Sequence, residues 1–327
     1  MNLLIVGYGS IGRRHATILA GAVDVGVVET QPALRDRAAA AGIEPVFDNI
    51  AAGAAWGPDA IIIATPTHLH ADCYKAVESL ARPTLIEKPI AHNEETLAFF
   101  EQLSAEKAGR IVVMANMRYH AGPETLRDNL ARIGRPRSAH VQFGSYLPDM
   151  RPGVDYRSVY AAHRDQGGGV LVDCIHEFDY MWWLFGKPAV AGSHLSRVSS
   201  LEIDVEDHAV VLLDHPNGPR AVYELDYLQR HKFRSCRIVG DEGTLVWQSR
   251  AKAPEIVDVS FYSGDAREPE QLFHDDSYDI NVIYGKYLDA FLAFTRTGDR
   301  GRLLDVATAT QEVRLLISII AQTTMDR

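Results

Sequence analysis

Short runs of β-branched residues alternate with segments of helical apolar spacing through the first third of the chain. The predicted strands are Leu3–Val6, Val23–Glu29, Pro45–Phe47, Asp59–Ala64, Thr84–Glu87 and Ile111–Ala115, with the weakest pattern at 45–47. The predicted helices between them are Ile11–Ala20, Ala33–Ala41, His68–Leu80 and Glu94–Ala105. Because this alternation is typical of βαβ units, we predict a doubly wound parallel sheet.

Beyond Arg118 the pattern changes to strands in series joined by turn signals. One glycine-flanked helix is predicted near 170–186, and Pro-Asn-Gly at 216–218 predicts a hairpin turn. The predicted strands are Ser138–Tyr146, Ala191–Val198, His208–Asp214, Arg220–Leu228, Arg234–Val239, Thr244–Gln248 and Val257–Tyr262. Helices at about 280–296 and 303–323 follow. We therefore predict an α/β protein with a doubly wound domain over 1–117 and an α+β domain, with a large, mainly antiparallel open sheet, over 118–327.

Composition and charge limit the classes of binding partner that we expect. The 327 residues carry a net charge of −10, which repels nucleic acid and anionic membranes, so we expect neither as a partner. Short basic clusters at 132–137 and at 230–234 are interpreted as solvated surface. The three cysteines form no CxxC pair, so we expect no bound metal and a reducing, cytoplasmic setting. The amino terminus has no basic region before its short apolar run, so we expect no signal peptide or membrane anchor.

A glycine-rich turn follows the first predicted strand. The sequence LLIVGYGSIG places a buried strand directly before G-x-G-x-x-G, and a helical pattern follows. Gly7 permits the tight turn, Gly9 lets a pyrophosphate approach the backbone, and Gly12 lets the helix pack against the strand. This context predicts a Rossmann dinucleotide site rather than a glycine turn without a ligand. The predicted cofactor contacts of the turn are Gly7, Tyr8, Gly9, Ser10, Ile11 and Gly12.

Glu29 ends the second predicted strand, 17 residues beyond Gly12. A carboxylate at this position accepts hydrogen bonds from ribose hydroxyls and repels a 2′-phosphate, which favours NAD. Arg13 and Arg14 leave NADP open as an alternative.

Two further motifs follow neighbouring strands, at the carboxyl edge where ligands bind in doubly wound sheets. ATPTHLH occupies 64–70, and Glu-Lys-Pro occupies 87–89. A lone lysine in a loop is usually solvated, but its neighbours and its place at the cofactor edge favour a functional Lys88. The predicted cofactor contacts at this edge are Ala64, Thr65, Pro66, His70, Glu87, Lys88 and Asn116.

The helix near 170–186 carries chemistry on one face. The ionisable residues of that face, spaced at i, i+3, i+4 and i+7, are Asp173, His176, Glu177 and Tyr180. The apolar residues of a second face are Val172, Ile175, Phe178 and Trp182. We predict that the apolar face packs in the core while the ionisable face lines a site.

These motifs together resemble the family of glucose-fructose oxidoreductase, inositol dehydrogenase and MocA. The resemblance rests on GYGSIG, on Thr65-Pro66 with His70, on Glu87-Lys88-Pro89, and on GGGVLVD-x-x-HEFD at 167–179. It implies a two-domain oxidoreductase in which the lysine approaches the reacting carbinol and the second domain supplies a histidine and an aspartate. In this family the Lys-Pro bond is often cis, and the open sheet is often an oligomer surface.

The chemistry implied is removal of a hydroxyl proton as hydride leaves the same carbon. His176 is the predicted acid–base group because imidazole titrates near neutrality. Lys88 would stabilise the developing alkoxide. Asp173 would orient the imidazole or bind a substrate hydroxyl; its role stays open because inositol dehydrogenase-like members commonly read D-x-x-x-H. The sequence HEFDY resembles the corresponding segment in enzymes of surface-polysaccharide and amino-sugar biosynthesis.

We therefore predict an NAD(P)-dependent dehydrogenase or reductase acting on a secondary alcohol of a sugar or nucleotide sugar, assembled as a homodimer or homotetramer. The alternatives are a sensor that binds NAD without catalysis, or an epimerase or glycosidase that uses NAD transiently. The remaining predicted substrate contacts, each equally compatible with interdomain packing, are Arg118, Arg157, Tyr160, Arg164 and Tyr284.

Overall fold

The structure, a computed structural model, describes residues 1–251, 253–264 and 266–323. Its strands are β1 (Asn2–Val6), β2 (Asp24–Val28), β3 (Val46–Phe47), β4 (Ala60–Ile63), β5 (Thr84–Ile86), β6 (Ile111–Val113), β7 (Pro136–Gly144), β8 (Ala189–Ser196), β9 (His208–Asp214), β10 (Arg220–Asp226), β11 (Phe233–Gly240), β12 (Gly243–Arg250), β13 (Glu255–Ser263), β14 (Glu270–Tyr278) and β15 (Leu304–Asp305). Its helices are α1 (Ser10–Leu19), α2 (Pro32–Ala40), α3 (Ile50–Ala55), α4 (His70–Val77), α5 (Glu94–Glu101), α6 (Ala105–Gly109), α7 (Ala121–Asn129), α8 (Val170–Asp173), α9 (Ile175–Phe185), α10 (Asn281–Thr297) and α11 (Val306–Gln322).

The first sheet has the order β15-β6-β5-β4-β1-β2-β3, and all its pairs are parallel except β15 with β6. Strands β1 and β4 are almost wholly buried, because helices cover both faces of such a sheet and both faces must be apolar. The predicted doubly wound sheet is confirmed, including the weak third strand, which is β3.

The second sheet has the order β14-β13-β12-β11-β7-β10-β9-β8. Its pairs are antiparallel except β7 with β10, as predicted for a mainly antiparallel open sheet. Buried and partly exposed residues alternate along β12 and β13, so one face packs in the core and the other does not. The predicted hairpin turn at 216–218 joins β9 to β10, where the backbone N–H of His215 donates to the Pro219 carbonyl.

Several elements differ from the predicted ones. The predicted helix near 170–186 is interrupted at Cys174, which separates α8 from α9. Strand β14 was not predicted, because EQLFHDDSY lacks a run of β-branched residues and, as an edge strand, does not bury a whole face. Helix α7 was not predicted because its first turn contains Gly122 and Pro123, which indicate a turn.

Packing divides the chain into two units. The first comprises residues 1–115 and 284–314, and the second comprises residues 116–283 and the described residues from 315 onward. The segment 284–314, which the division at 117/118 assigns to the second domain, packs with the first unit. The reason is that β15 pairs with the edge strand β6, and the Tyr287 hydroxyl donates to the Val113 carbonyl.

In the described part of the chain, no helix is both long and apolar enough to cross a bilayer.

Candidate active site

The glycine-rich turn connects β1 to α1 at the carboxyl edge of the first sheet. Gly7 has a φ of +97°, and a Cβ there would lie 2.9 Å from the Ala64 carbonyl oxygen. A Cβ on Gly12 would lie 2.0 Å from the Gly7 carbonyl oxygen, so close helix packing excludes any side chain. At Gly9, in contrast, a Cβ would have no neighbour within 4 Å. The turn therefore leaves open space at the one glycine where a pyrophosphate is predicted to approach.

Helix α1 begins at this turn without a side-chain cap. Gly9 is the N-cap residue and supplies no oxygen to the first turn. Ser10 is exposed and Ile11 is partly exposed, so the backbone N–H groups that start the helix are accessible to an anion. The predicted turn residues thus lie together and fit a dinucleotide pyrophosphate.

Glu29 is fixed beside the turn. Its side chain is 8% exposed, and its Oε2 accepts a hydrogen bond of 2.8 Å from the backbone N–H of Tyr8. Its Oε1 accepts one of 2.9 Å from the N–H of Gln31. Two backbone donors hold the carboxylate at the end of β2, where a ribose would be recognised.

The loop after β4 contains His70, a predicted cofactor contact. The imidazole is 1% exposed, its Nε2 lies 3.0 Å from the Thr65 carbonyl oxygen, and its Nδ1 lies 3.1 Å from the Pro89 carbonyl oxygen. Both ring nitrogens therefore face backbone oxygens. His70 supports the two loops instead of offering a ring nitrogen to a cofactor.

Lys88 follows β5 and is partly exposed. Its peptide bond to Pro89 is cis, as the family resemblance implies. The preceding Glu87 accepts a hydrogen bond of 2.8 Å from His15 Nε2, and His15 is completely buried in α1. The sequence analysis did not identify His15 as part of the site; its position, three residues after the last glycine of the turn, was the available signal.

In the second unit, the triple glycine at 167–169 leads into α8. Gly169 has a φ of +111°, and a Cβ there would lie 2.3 Å from a carboxylate oxygen of Glu206. The buried Glu206 accepts a hydrogen bond of 3.1 Å from the backbone N–H of Leu171. Burial raises the pKa of Glu206, and this hydrogen bond opposes the rise. The glycine therefore makes room for an acid that satisfies the start of the helix.

Asp173 and His176 are both partly exposed, as a site requires. The Tyr160 hydroxyl donates a hydrogen bond of 2.5 Å to Asp173 Oδ1, which joins two predicted substrate contacts. Burial, with the Asp173 charge beside it, raises the pKa of Tyr160 well above its ordinary value, so the phenol remains protonated.

The predicted ionisable face is wrong for Glu177 and Tyr180, which are both completely buried. Arg234 on β11 explains Glu177, because its Nε donates a hydrogen bond of 2.8 Å to Glu177 Oε1 in the core. Burial raises the pKa of Glu177 while the guanidinium of Arg234 lowers it. Arg234 and Lys232 also correct the interpretation of 230–234 as solvated surface, since Arg234 is 7% exposed and Lys232 pairs with the buried Glu255.

The predicted apolar face of this helix is more accurate. Three of its residues are buried, namely Ile175, Phe178 and Trp182. Val172 is partly exposed.

Arg118 and Asn116 are buried and not available as surface contacts. Arg118 is 7% exposed, its Nε lies 3.0 Å from Asp179 Oδ1, and its Nη2 lies 2.6 Å from the same oxygen. The guanidinium thus anchors α9 through Asp179. Asn116 is 4% exposed. Because Arg118 and Asp179 both belong to the second unit, this ion pair is not the interdomain packing that the sequence left open, and the substrate contact of Arg118 stays a prediction.

Three predicted substrate contacts remain, namely Arg157, Arg164 and Tyr284. Arg157 is exposed and pairs with Asp155 and Glu202, which together raise the pKa of its guanidinium. The backbone N–H of Arg164 donates a hydrogen bond of 2.8 Å to Asp204 Oδ1. Tyr284 lies on α10 and belongs to the first unit.

The Tyr284 ring packs near the start of α1. The guanidinium carbon of Arg14 lies 4.7 Å from its centroid, and the His15 ring centroid lies 6.0 Å away. Tyr284 therefore supports the helix that begins at the dinucleotide turn.

A small pocket lies in the second unit beside Asp173. Tyr156 and Tyr160 line it together with Arg151, whose guanidinium carbon lies 5.4 Å from the Tyr160 ring centroid. The sequence analysis missed Arg151, because a single arginine in a loop carries no pattern. Among the described residues, no three histidine, cysteine or acidic side chains are grouped as metal ligands.

Comparisons with known proteins identify the family and the fold. The model described as an oxidoreductase family with an NAD-binding Rossmann fold matches residues 1–116, and that of the GFO/IDH/MocA C-terminal domain matches residues 126–246. Inositol 2-dehydrogenase of Rhizobium meliloti is 24% identical over 308 residues, which cover 90% of this chain and 88% of that protein. The NADP(+) scyllo-inositol 2-dehydrogenase IolU of Bacillus subtilis is 27% identical over 215 residues, covering 63% of this chain and 61% of that one.

A solved structure shows the same fold. The WlbA dehydrogenase from Bordetella pertussis, in complex with NADH and UDP-GlcNAcA, superposes with a TM-score of 0.77 at 20% identity. The match covers 98% of this chain and 95% of that one. The resemblance stated from the motifs, the fold class and an NAD-binding Rossmann domain are therefore confirmed.

Proposed function

Because the chain belongs to the GFO/IDH/MocA family of oxidoreductases, we propose that it transfers hydride between nicotinamide and a secondary alcohol or ketone of a sugar or nucleotide sugar. One observation carries the proposal: Lys88 lies at the carboxyl edge of the first sheet. It follows β5, and the loop that contains Thr65 (the Thr65 turn) follows the adjacent strand β4. The names of the relatives, inositol dehydrogenases and a dehydrogenase bound to UDP-GlcNAcA, support this substrate class.

The first unit supplies the cofactor contacts. NAD, when bound, accepts or donates the hydride. The N–H groups at the start of α1 bind its pyrophosphate, and Gly9 leaves the space for it. Glu29 accepts hydrogen bonds from ribose hydroxyls and disfavours a 2′-phosphate, so NAD is the proposed cofactor.

In this proposal, three side chains act on the reacting hydroxyl by stabilising charge, transferring the proton and orienting the substrate. The Lys88 ammonium stabilises negative charge as the alkoxide develops. A ring nitrogen of His176 takes the hydroxyl proton in oxidation and returns it in reduction. The Asp173 carboxylate, held by the Tyr160 hydroxyl, orients a substrate hydroxyl or the imidazole. Because Asp173 is the residue with the atypical spacing, His176 is the stronger assignment.

Lys88→Ala tests this proposal. Myo-inositol, free sugars and nucleotide sugars are first screened with NAD+ by NADH absorbance. With the best substrate, we expect kcat to fall roughly 100-fold or more while the Kd for NADH, measured by fluorescence, stays within about twofold. The control is Lys75→Ala, an exposed lysine on α4, with unchanged kcat. Equal turnover by Lys88→Ala and the wild type would refute the role of Lys88.

The screen also separates the alternatives. A chain that binds NADH tightly but turns over no sugar would favour a sensor. Solvent deuterium in a recovered sugar without a net absorbance change would favour transient use of NAD.

We further propose a cytoplasmic homodimer or homotetramer that pairs through the open face of the second sheet. Leu212 and Tyr262 support this pairing, because each large side chain is 43% exposed on that sheet. The three cysteines, which are all buried and widely spaced in the sequence, support a reducing compartment. Light scattering after size exclusion tests the assembly, and a monomer at micromolar concentration would refute it.

A further inference from the structure

Two buried histidines hold the residues on either side of Lys88. His15 contacts Glu87, the residue before the lysine, and His70 contacts Pro89, the residue after it. The side chains of His15 and His70 are 0% and 1% exposed. All four partners belong to the first unit.

His70 joins the loops that follow two adjacent strands. Its ring spans the gap between the Thr65 carbonyl, after β4, and the Pro89 carbonyl, after β5, at 3.0 and 3.1 Å. An imidazole is rigid and planar, so the separation of the two carbonyls is set by the width of the ring. A neutral imidazole carries one N–H, so an apolar side chain of similar size would leave one of these buried carbonyl oxygens without its donor, which is costly.

His15 joins the helix of the dinucleotide turn to the same loop. Its Nε2 lies 2.8 Å from Glu87 Oε1, and the other carboxylate oxygen accepts the Lys88 backbone N–H at 3.3 Å. Within the described residues, His15 Nδ1 has no hydrogen-bond partner, so the ring is held through Nε2 alone. Helix α1 and the lysine backbone are thus connected through one carboxylate.

We propose that His15 and His70 are positioning residues for Lys88, which fix its backbone relative to the dinucleotide turn and the Thr65 turn. Neither histidine contacts substrate in this assignment; each acts through its neighbour. The catalytic consequence rests on the proposed function of Lys88, but the positioning itself can be measured without a substrate.

The first experiment measures the reactivity of the Lys88 side-chain amine. The full chain is pulsed with acetic anhydride, and acetylation of Lys88 and of the exposed reference Lys75 is quantified by peptide mass spectrometry. In His70→Leu and His15→Leu, we expect the Lys88 rate to rise about threefold or more, while the Lys75 rate stays constant. The control is His68→Leu, an exposed histidine two residues from His70.

The Gln variants keep the proposal testable if the Leu variants do not fold. His70→Gln and His15→Gln each keep an N–H donor group in the form of the side-chain amide, so we expect Lys88 rates between those of the wild type and the Leu variants. An unchanged Lys88 rate in folded variants would overturn the proposal. So would an equal rise at Lys75, because that indicates general loosening.

The second experiment uses the best substrate from the screen, deuterated at the reacting carbon. Misplacement of Lys88 slows the hydride step, so we expect the His70 variants to lower kcat about tenfold and to raise the isotope effect on kcat. Simple loss of folded protein lowers kcat without changing the isotope effect. If Lys88→Ala leaves turnover intact, the proposed function fails while the reactivity experiment still judges the positioning.

Discussion

The cofactor edge of the first unit and the helix region of the second unit hold their functional side chains in opposite ways. At the cofactor edge, backbone groups provide most of the support, as where His70 spans two carbonyls. Around α9, full charges in the core provide it, through Arg118 with Asp179 and Arg234 with Glu177. The first arrangement is encoded in a short motif, whereas the second depends on partners distant in the sequence.

The two arrangements also differ in what their loss costs. A backbone hydrogen bond contributes about 0.5–1.5 kcal/mol net. Removing one partner of a buried ion pair strands a charge and costs about 3–5 kcal/mol. We therefore expect the second unit to be more sensitive to single charge removals.

The largest expected effect is that of Arg234→Met. It leaves the fully buried Glu177 carboxylate without its cation, and we expect the free energy of unfolding to fall by about 3–5 kcal/mol. Urea unfolding measures this loss. Arg220→Met, at an arginine that is 87% exposed on β10, is the matched control and leaves the midpoint unchanged. The double variant Arg234→Met with Glu177→Met should recover much of the lost stability. If the single variant lost less than about 1 kcal/mol, which is the net contribution of one hydrogen bond, the two regions would not differ in their sensitivity.

The next effect separates two glycines of the dinucleotide turn. Gly12→Ala places a Cβ against the Gly7 carbonyl, so we expect a destabilisation of about 1–3 kcal/mol together with weaker NADH binding. Gly9→Ala meets no protein atom and should weaken NADH binding alone. Thermal unfolding and NADH fluorescence test the pair. Equal destabilisation by both changes would show that the turn is not divided into packing and binding glycines.

A smaller effect concerns cofactor choice at Glu29. Glu29→Gln removes the charge that repels a 2′-phosphate but keeps one oxygen for the backbone donors. We expect the ratio of the Kd values for NADPH and NADH to shift toward NADPH about tenfold, equivalent to about 1.4 kcal/mol. Fluorescence titration needs no substrate. An unchanged ratio would assign the preference to other residues, such as Arg13.

The smallest effect is a pH dependence from buried histidines in both units. Burial lowers the pKa of His70 and of His120 below 6.5. The unfolded chain then binds protons at higher pH than the folded chain, so this stability is complete above pH 6.5 and is lost as pH falls toward the folded pKa. His70→Gln should lose less stability than the wild type between pH 7.5 and 5.5. The exposed His68→Gln is the control, and equal losses in all three proteins would contradict this reasoning.

The same contrast explains what sequence could predict of the fold. Strands β1 and β4 were recognisable because strands covered on both faces are continuously apolar. Strand β15 was not, because its two residues form a strand only where the free edge of β6 meets them. Helix α7 was not predicted because Gly122 indicates a turn. The glycine is required there by packing, since a Cβ would lie 2.1 Å from the Trp247 ring.

The candidate site was predictable to a similar degree. The glycine turn and Glu29 follow a local spacing rule, and the structure places them together. The burial of Glu177 could not be predicted, because it depends on the break at Cys174 and on Arg234, which lies 57 residues away. Helical spacing alone treats the helix as unbroken and every ionisable residue as exposed.

The pairing of β15 with β6 has a consequence for biosynthesis. A ribosome releases β6 well before β15, so the outer edge of β6 stays unpaired until Leu304 and Asp305 have been translated. An unpaired strand edge is a template for association with other chains. The nascent protein therefore cannot complete its first unit before residues 284–314 emerge, and a fragment ending near residue 117 would expose that edge permanently.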